Sequence, residues 1–129
     1  MSINYPIKFR PILKETIWGG EKLITTLNKQ SDEKNIGESW EISGVDRNIS
    51  VVANGKLKGE TLENLLIIYR DALVGKKVFD EFSYKFPLLI KFIDAKEALS
   101  IQLHPKDQLA KERHNSSGKT EMWYVMQAD

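Results

Sequence analysis

Between Phe86 and Asp94 the chain runs almost without a break through apolar residues, and the single charge inside the run is Lys91. A stretch of this length is expected as a strand buried between layers, and it falls far short of the roughly 20 residues of a membrane span. Burying an unpaired ammonium is costly, so Lys91 either snorkels out to water or faces a polar cavity with an anionic visitor. Both readings stay open at this point. With 129 residues, 41% of them hydrophobic, the chain has apolar material for one core and is expected as a single domain over residues 1–129.

The rest of the chain reads as short strands with helices between them. Tyr5 to Leu13 is expected to be extended and to lie at a sheet edge, because Pro6 and Pro11 suit edges better than central strands. After Trp18-Gly19-Gly20, the helical spacing of Leu23, Ile24 and Leu27 predicts a short helix ending near Asn28, followed by a polar loop to Asn35. Two strand-like runs follow, Glu38 to Ser43 and Ile49 to Val52, and Asn54-Gly55 reads as a hairpin-type turn. Thr61 can cap a helix whose Leu62, Leu65, Leu66, Tyr69 and Leu73 form one apolar stripe, with Gly75 as its stop. Ala95-Lys96-Glu97 is a turn. Pro105 and Asp107 start a second short helix through Arg113, and Asn115-Ser116-Ser117-Gly118 breaks the chain before a final strand at Thr120 to Met126. Regular alternation of strand and helix is absent. The expected fold is therefore mainly β with a few short helices, an antiparallel barrel or jelly roll.

The overall balance excludes several function classes. Nineteen basic residues against eighteen acidic ones leave a net charge of +1, which gives nucleic acid no electrostatic footprint to meet. Any charged substrate must be caught locally. The chain has no cysteine, so disulfide frameworks, thiolate zinc sites and cysteine nucleophiles are all ruled out, and a metal would need N and O ligands. The first residues lack the basic and apolar regions of a secretion signal, so the expected compartment is the cytoplasm, with no membrane partner.

In Leu99-Ser100-Ile101-Gln102-Leu103-His104 apolar and polar residues alternate, and a strand would send Ser100, Gln102 and His104 to one face. Residues two apart stand about 6.5 to 7 Å apart along a strand, so the Gln102 carbonyl oxygen and the His104 imidazole can lean onto one ion. On pattern alone, a half-exposed strand with its polar face in water is the commoner explanation. Glu121, on the next strand-like segment, can add a carboxylate from across a barrel, or it can be a surface residue paired with Lys119. Lys119 in turn can meet a phosphate as a point charge or sit in an exposed loop. His114 at the end of a short helix is accounted for by the favourable carbonyl ends and is not counted as a ligand.

Four motifs, Trp18-Gly19-Gly20, Gly37-Glu38-Ser39-Trp40-Glu41, Leu99 to Pro105 and Gly118-Lys119-Thr120-Glu121-Met122-Trp123-Tyr124, resemble the type I mannose-6-phosphate isomerases in order and over nearly the whole chain. The resemblance implies a zinc-dependent enzyme of cupin jelly-roll fold that interconverts mannose 6-phosphate and fructose 6-phosphate. It makes Gln102, His104 and Glu121 metal ligands, with one zinc per complete site, while other divalent ions suit the same N/O set. Ser100, Lys91 and Lys119 then line the pocket near the sugar phosphate, and Glu38 is a further acidic pocket position. The general base stays unassigned. Family members are longer and carry a fourth ligand, a histidine, and a substrate arginine beyond the position of Asp129. The chain thus reads as an N-terminal portion whose barrel is incomplete and whose partner is the remainder of the family fold. A non-catalytic cupin-like module that binds metal or a sugar phosphate is the alternative, whereas an iron oxygenase, which typically uses two histidines and one carboxylate, fails because His114 is poorly placed.

Overall fold

The computed structural model describes residues 3–116 and 118–128, so Ser117 of the expected chain break lies outside the described residues. The chain divides into two compact units, Met1–Ala98 and Leu99–Asp129.

The first unit is built on a four-stranded antiparallel sheet of β1 (Ile12–Gly20), β2 (Ile36–Val45), β3 (Asn48–Ile49) and β4 (Leu89–Ile93). Central β2 pairs with each of the other three, and the sheet is open rather than closed into a barrel. The β2–β3 hairpin turns at Asp46-Arg47, where Arg47 takes a φ of 65°. This corrects the expected hairpin at Asn54-Gly55, which opens a short 3-10 turn over Gly55–Leu57. The Asn54 side chain is used differently: its Oδ1 accepts from the Lys8 amide at 2.8 Å and its Nδ2 donates to the Pro6 carbonyl at 3.0 Å. The proline-containing opening segment is thereby tied down, and Phe9 bridges Val52 in antiparallel fashion.

Helix α1 (Lys22–Thr25) follows β1, and the loop after it runs to Asn35, as the spacing predicts. Thr61 caps α2 (Leu62–Tyr69), its Oγ1 accepting from the Asn64 amide at 3.1 Å. Leu62, Leu65 and Leu66 from the apolar stripe are buried beside Ile36, Val52 and Leu23. The stripe does not stay in one helix. Arg70 breaks it with a φ of 51°, the short α3 (Asp71–Val74) follows, and Gly75 at φ +84° separates that from α4 (Lys76–Phe82). The Arg70 guanidinium lies 5.2 Å from the Phe79 ring centre and 5.9 Å from that of Tyr84, a contact that offsets the cost of its backbone.

Buried serines give β2 its polar interior. Ser39, Ser43 and Ser50 are fully buried, and each is satisfied: Ser39 Oγ donates to Glu41, Ser50 Oγ accepts from the Ser43 amide, and Ser43 Oγ accepts from the Val45 amide. Strand β4 falls inside the apolar run, but it is not buried on both faces as the run suggests. Leu88, just before the strand, is 57% exposed and Ile90 within it 47%, and among the described residues β4 has a sheet neighbour on the β2 side alone.

The second unit contains α5 (Asp107–His114), which starts and ends where the Pro105 and Asn115 signals place it. Asn115 closes it in the left-handed conformation, φ 48°. Neither the expected strand at Leu99–His104 nor the one at Thr120–Met126 forms. Both stretches lack regular secondary structure, and Ile101, Leu103 and Met122 are almost wholly exposed. Alternation makes a chain ready to be a strand, but a strand exists only when a neighbour exchanges backbone hydrogen bonds with it. Among the described residues, no helix is long and apolar enough to cross a membrane.

Candidate functional site

The residues singled out from sequence fall into two clusters, one in each unit. In the first unit, register explains the cluster. Glu38 stands opposite Lys14 on β1, and Trp40 stands opposite Lys91 on β4, so all four side chains share one face of the sheet. Lys91 Nζ lies 2.7 Å from Glu38 Oε1, and Trp40 Nε1 donates to Glu38 Oε2 at 2.6 Å. Both Glu38 oxygens are therefore engaged. Lys91 neither snorkels free nor waits unpaired for an anion, since its side chain is 20% exposed and its charge is matched by a carboxylate 16% exposed. Lys14 Nζ is held by the Asn48 side-chain oxygen and lies 4.9 Å from the Trp40 ring centre. Lys14, Trp40 and Asn48 were not picked out as candidates, because they meet through β-pairing that no local signal records.

The opposite face carries a second pair that sequence reasoning passed over. Lys29, from the loop after α1, contacts both Glu41 oxygens at 2.8 and 2.9 Å, and its ammonium lies 5.5 Å from the Phe92 ring centre. Glu41 is the extra residue at a bulge in the β2–β4 pairing, and its Oε1 also accepts from Ser39 Oγ at 2.6 Å. This arrangement pins the polar loop onto the sheet. Gly37 serves the same region by absence of a side chain, since a Cβ there would fall 2.6 Å from the Trp18 ring. The glycines of the first two motifs thus make room for Trp18 and for close strands. Two recesses of this unit, of about 360 and 370 Å³, are lined by none of the candidate residues.

In the second unit the chain after α5 folds back on the helix start. The Gly118 amide donates to Asp107 Oδ1 at 2.8 Å, and a Cβ at Gly118 would fall 2.6 Å from the Asp107 nitrogen, so only glycine fits without displacement. The return brings Glu121 to His104: Oε2 lies 3.3 Å from Nε2. Lys119 Nζ takes the other oxygen at 2.6 Å. The Gln102 amide nitrogen donates to Ser100 Oγ at 3.1 Å, the contact that alternation in an extended chain allows, and this leaves the amide carbonyl as an acceptor. The Glu121 carboxyl is held below its ordinary value, first by the Lys119 hydrogen bond. Burial works against that, while the Lys119 charge, a hydrogen bond from Trp123 and the His104 charge work with it.

Two zinc ligands about 2.0 to 2.1 Å from the metal at tetrahedral angles are themselves about 3.3 Å apart, so the His104 to Glu121 separation suits a shared ion. The Glu121 carboxylate and the His104 imidazole nitrogen are by themselves an N/O donor pair of the right chemistry for such an ion. Among the described residues no three His, Cys, Asp or Glu side chains gather, so a third protein donor at this pair would have to be of another type.

Residues 7–124 match the family description "Phosphomannose isomerase type I, catalytic domain". The chain belongs to the type I phosphomannose isomerase family. A mannose-6-phosphate isomerase of Streptococcus mutans is 37% identical over 124 residues, which is 96% of this chain and 38% of that protein. The mannose-6-phosphate isomerase ManA of Bacillus subtilis is 39% identical over 122 residues, 94% of this chain and 37% of its own length. In structure, the mannose 6-phosphate isomerase from Bacillus subtilis superposes with a TM-score of 0.74 at 38% identity, covering 88% of this chain and 35% of that one. The chain spans little more than a third of the length of these relatives. The four-motif resemblance is borne out, and the superposition extends it to the mainly β fold.

Proposed function

We propose that this chain supplies metal-binding and substrate-binding side chains of a zinc-dependent aldose–ketose isomerase that interconverts mannose 6-phosphate and fructose 6-phosphate. The observation that supports it best is the approach of Glu121 to His104 within a chain of this family. His104, Glu121 and the Gln102 carbonyl would hold the ion, which when bound would orient the sugar oxygens and stabilise developing negative charge. The reaction moves one proton between neighbouring carbons through an enediol. Glu38, with Lys91 and Trp40 fixing both its oxygens, offers a preorganised polar wall for sugar hydroxyls, and Ser100 positions the Gln102 amide. Lys119 keeps Glu121 ionised and so ready as a ligand.

The test supplies zinc and mannose 6-phosphate to the chain and follows fructose 6-phosphate, in parallel with Gln102→Ala and His104→Ala. Zinc binding weakened at least tenfold by both substitutions, with any turnover lost alongside it, is the expected result, and zinc binding indifferent to them overturns the site. A second reading, a non-catalytic module that binds metal or sugar phosphate, is favoured by the short span of the chain against its relatives. Sugar-phosphate binding by calorimetry without turnover would decide for it, and absence of both binding and turnover would sink the two together.

A further inference from the structure

On the face that carries Glu38, the cluster described above has two ammonium groups, of Lys14 and Lys91, and one carboxylate, of Glu38. Lys91 is matched by Glu38 at 2.7 Å, and that pair is neutral as a unit. Lys14 is different. Its partners are the uncharged Asn48 side chain and the face of the Trp40 ring, and among the described residues no carboxylate lies within ion-pair distance of it. The surplus charge of this cluster therefore sits on Lys14, not on Lys91. Glu38 cannot easily swing to neutralise it, since Lys91 and the Trp40 indole nitrogen occupy its two oxygens.

From this we infer that Lys14 is a phosphate-monoester contact, the cation that takes the phosphate of a sugar phosphate lying across the Glu38 face. The inference deepens the isomerase reading and rests on it for the identity of the sugar. Three features fit Lys14 for the task. It is only half-buried, so an anion can reach it. Its ammonium is aimed by two contacts that cost nothing to share, because an ammonium has three protons and Asn48 uses one. The Trp40 ring beside it limits water on one side, which strengthens the attraction between a lysine and a dianion. The neutral Lys91–Glu38 pair is left to meet hydroxyl groups, which both accept and donate hydrogen bonds.

The experiment titrates inorganic phosphate and mannose 6-phosphate separately into the chain at low ionic strength, by calorimetry and 31P NMR. Variants are Lys14→Met, Lys14→Arg and Asn48→Asp, each checked by thermal melting. Lys14→Met keeps the stem over Trp40 and removes the charge, while Asn48→Asp keeps Lys14 and neutralises it. Both should weaken mannose 6-phosphate at least tenfold, and Lys14→Arg should stay within about threefold of the parent. Phosphate bound in a Lys14-dependent way without any isomerisation would keep the subsite and discard the isomerase. Mannose 6-phosphate bound or isomerised equally well by folded Lys14→Met and Asn48→Asp would discard the subsite and keep the isomerase. A parent chain that binds neither anion overturns the inference outright.

Discussion

At the scale of single residues, the two candidate clusters rest on carboxylates whose partners are lysines. Removing the Glu38 carboxylate would strand a Lys91 ammonium that is mostly covered, so Glu38→Leu should cost about 1 to 3 kcal/mol of stability. Adding Lys91→Met should recover part of that loss, and denaturant melts of the single and double variants measure the coupling. If the double variant is no better than Glu38→Leu alone, the pair is not the source of the loss. Glu121 makes a different prediction. Its carboxyl is depressed chiefly by the hydrogen bond from Lys119, so this interaction favours the fold above the ordinary carboxylate range and is lost as pH falls through the lowered pKa. In the metal-free protein, Lys119→Met should move the Glu121 midpoint upward, read from the 13C carboxyl shift against pH. A midpoint that stays put would assign the depression to Trp123 and His104 instead.

At the scale of elements, what could be read from the chain was what neighbours along the chain decide. Thr61 and Gly75 mark the bounds of the α2 and α3 region because a cap and a left-handed stop act within a few residues. Thr61→Ala should therefore cost about 1 kcal/mol, a fall of roughly 4 °C in Tm by calorimetry. Arg70 shows where such reading fails: a continuous apolar stripe gives no warning of a break whose support, Phe79 and Tyr84, lies in and just after α4. Lys91 fails for a similar reason. Its choice between water and an anion was settled by Glu38, 53 residues away, through a β-register with a bulge in it. The alternating segments failed in the other direction, since their pattern is right for strands while no strand pairing is present to realise it. Glycine at 118 was legible as a chain break but not as the close approach that carries Glu121 back to His104. Gly118→Ala should accordingly weaken zinc binding at least tenfold with little change in helix content, which calorimetry and circular dichroism together can check.

At the scale of the whole molecule, the membership of a family of much longer proteins and the exposure of apolar residues bear on one another. Ile101 and Leu103 are 104% and 96% exposed, and Met122 and Tyr124 are 92% and 86% exposed. Exposed apolar side chains in extended segments that form no strand among the described residues invite strand pairing with other copies. Ile101 and Leu103 alternate with Gln102 and His104, so charge can be placed on them without touching the proposed ligands. The variant Ile101→Lys/Leu103→Lys should keep its unfolding free energy within about 0.5 kcal/mol of the parent, as expected for exposed positions. It should also scatter less light at high concentration. A loss of several kcal/mol would show instead that these two side chains are buried in solution, and that the segment from Leu99 to His104 has found a sheet to join.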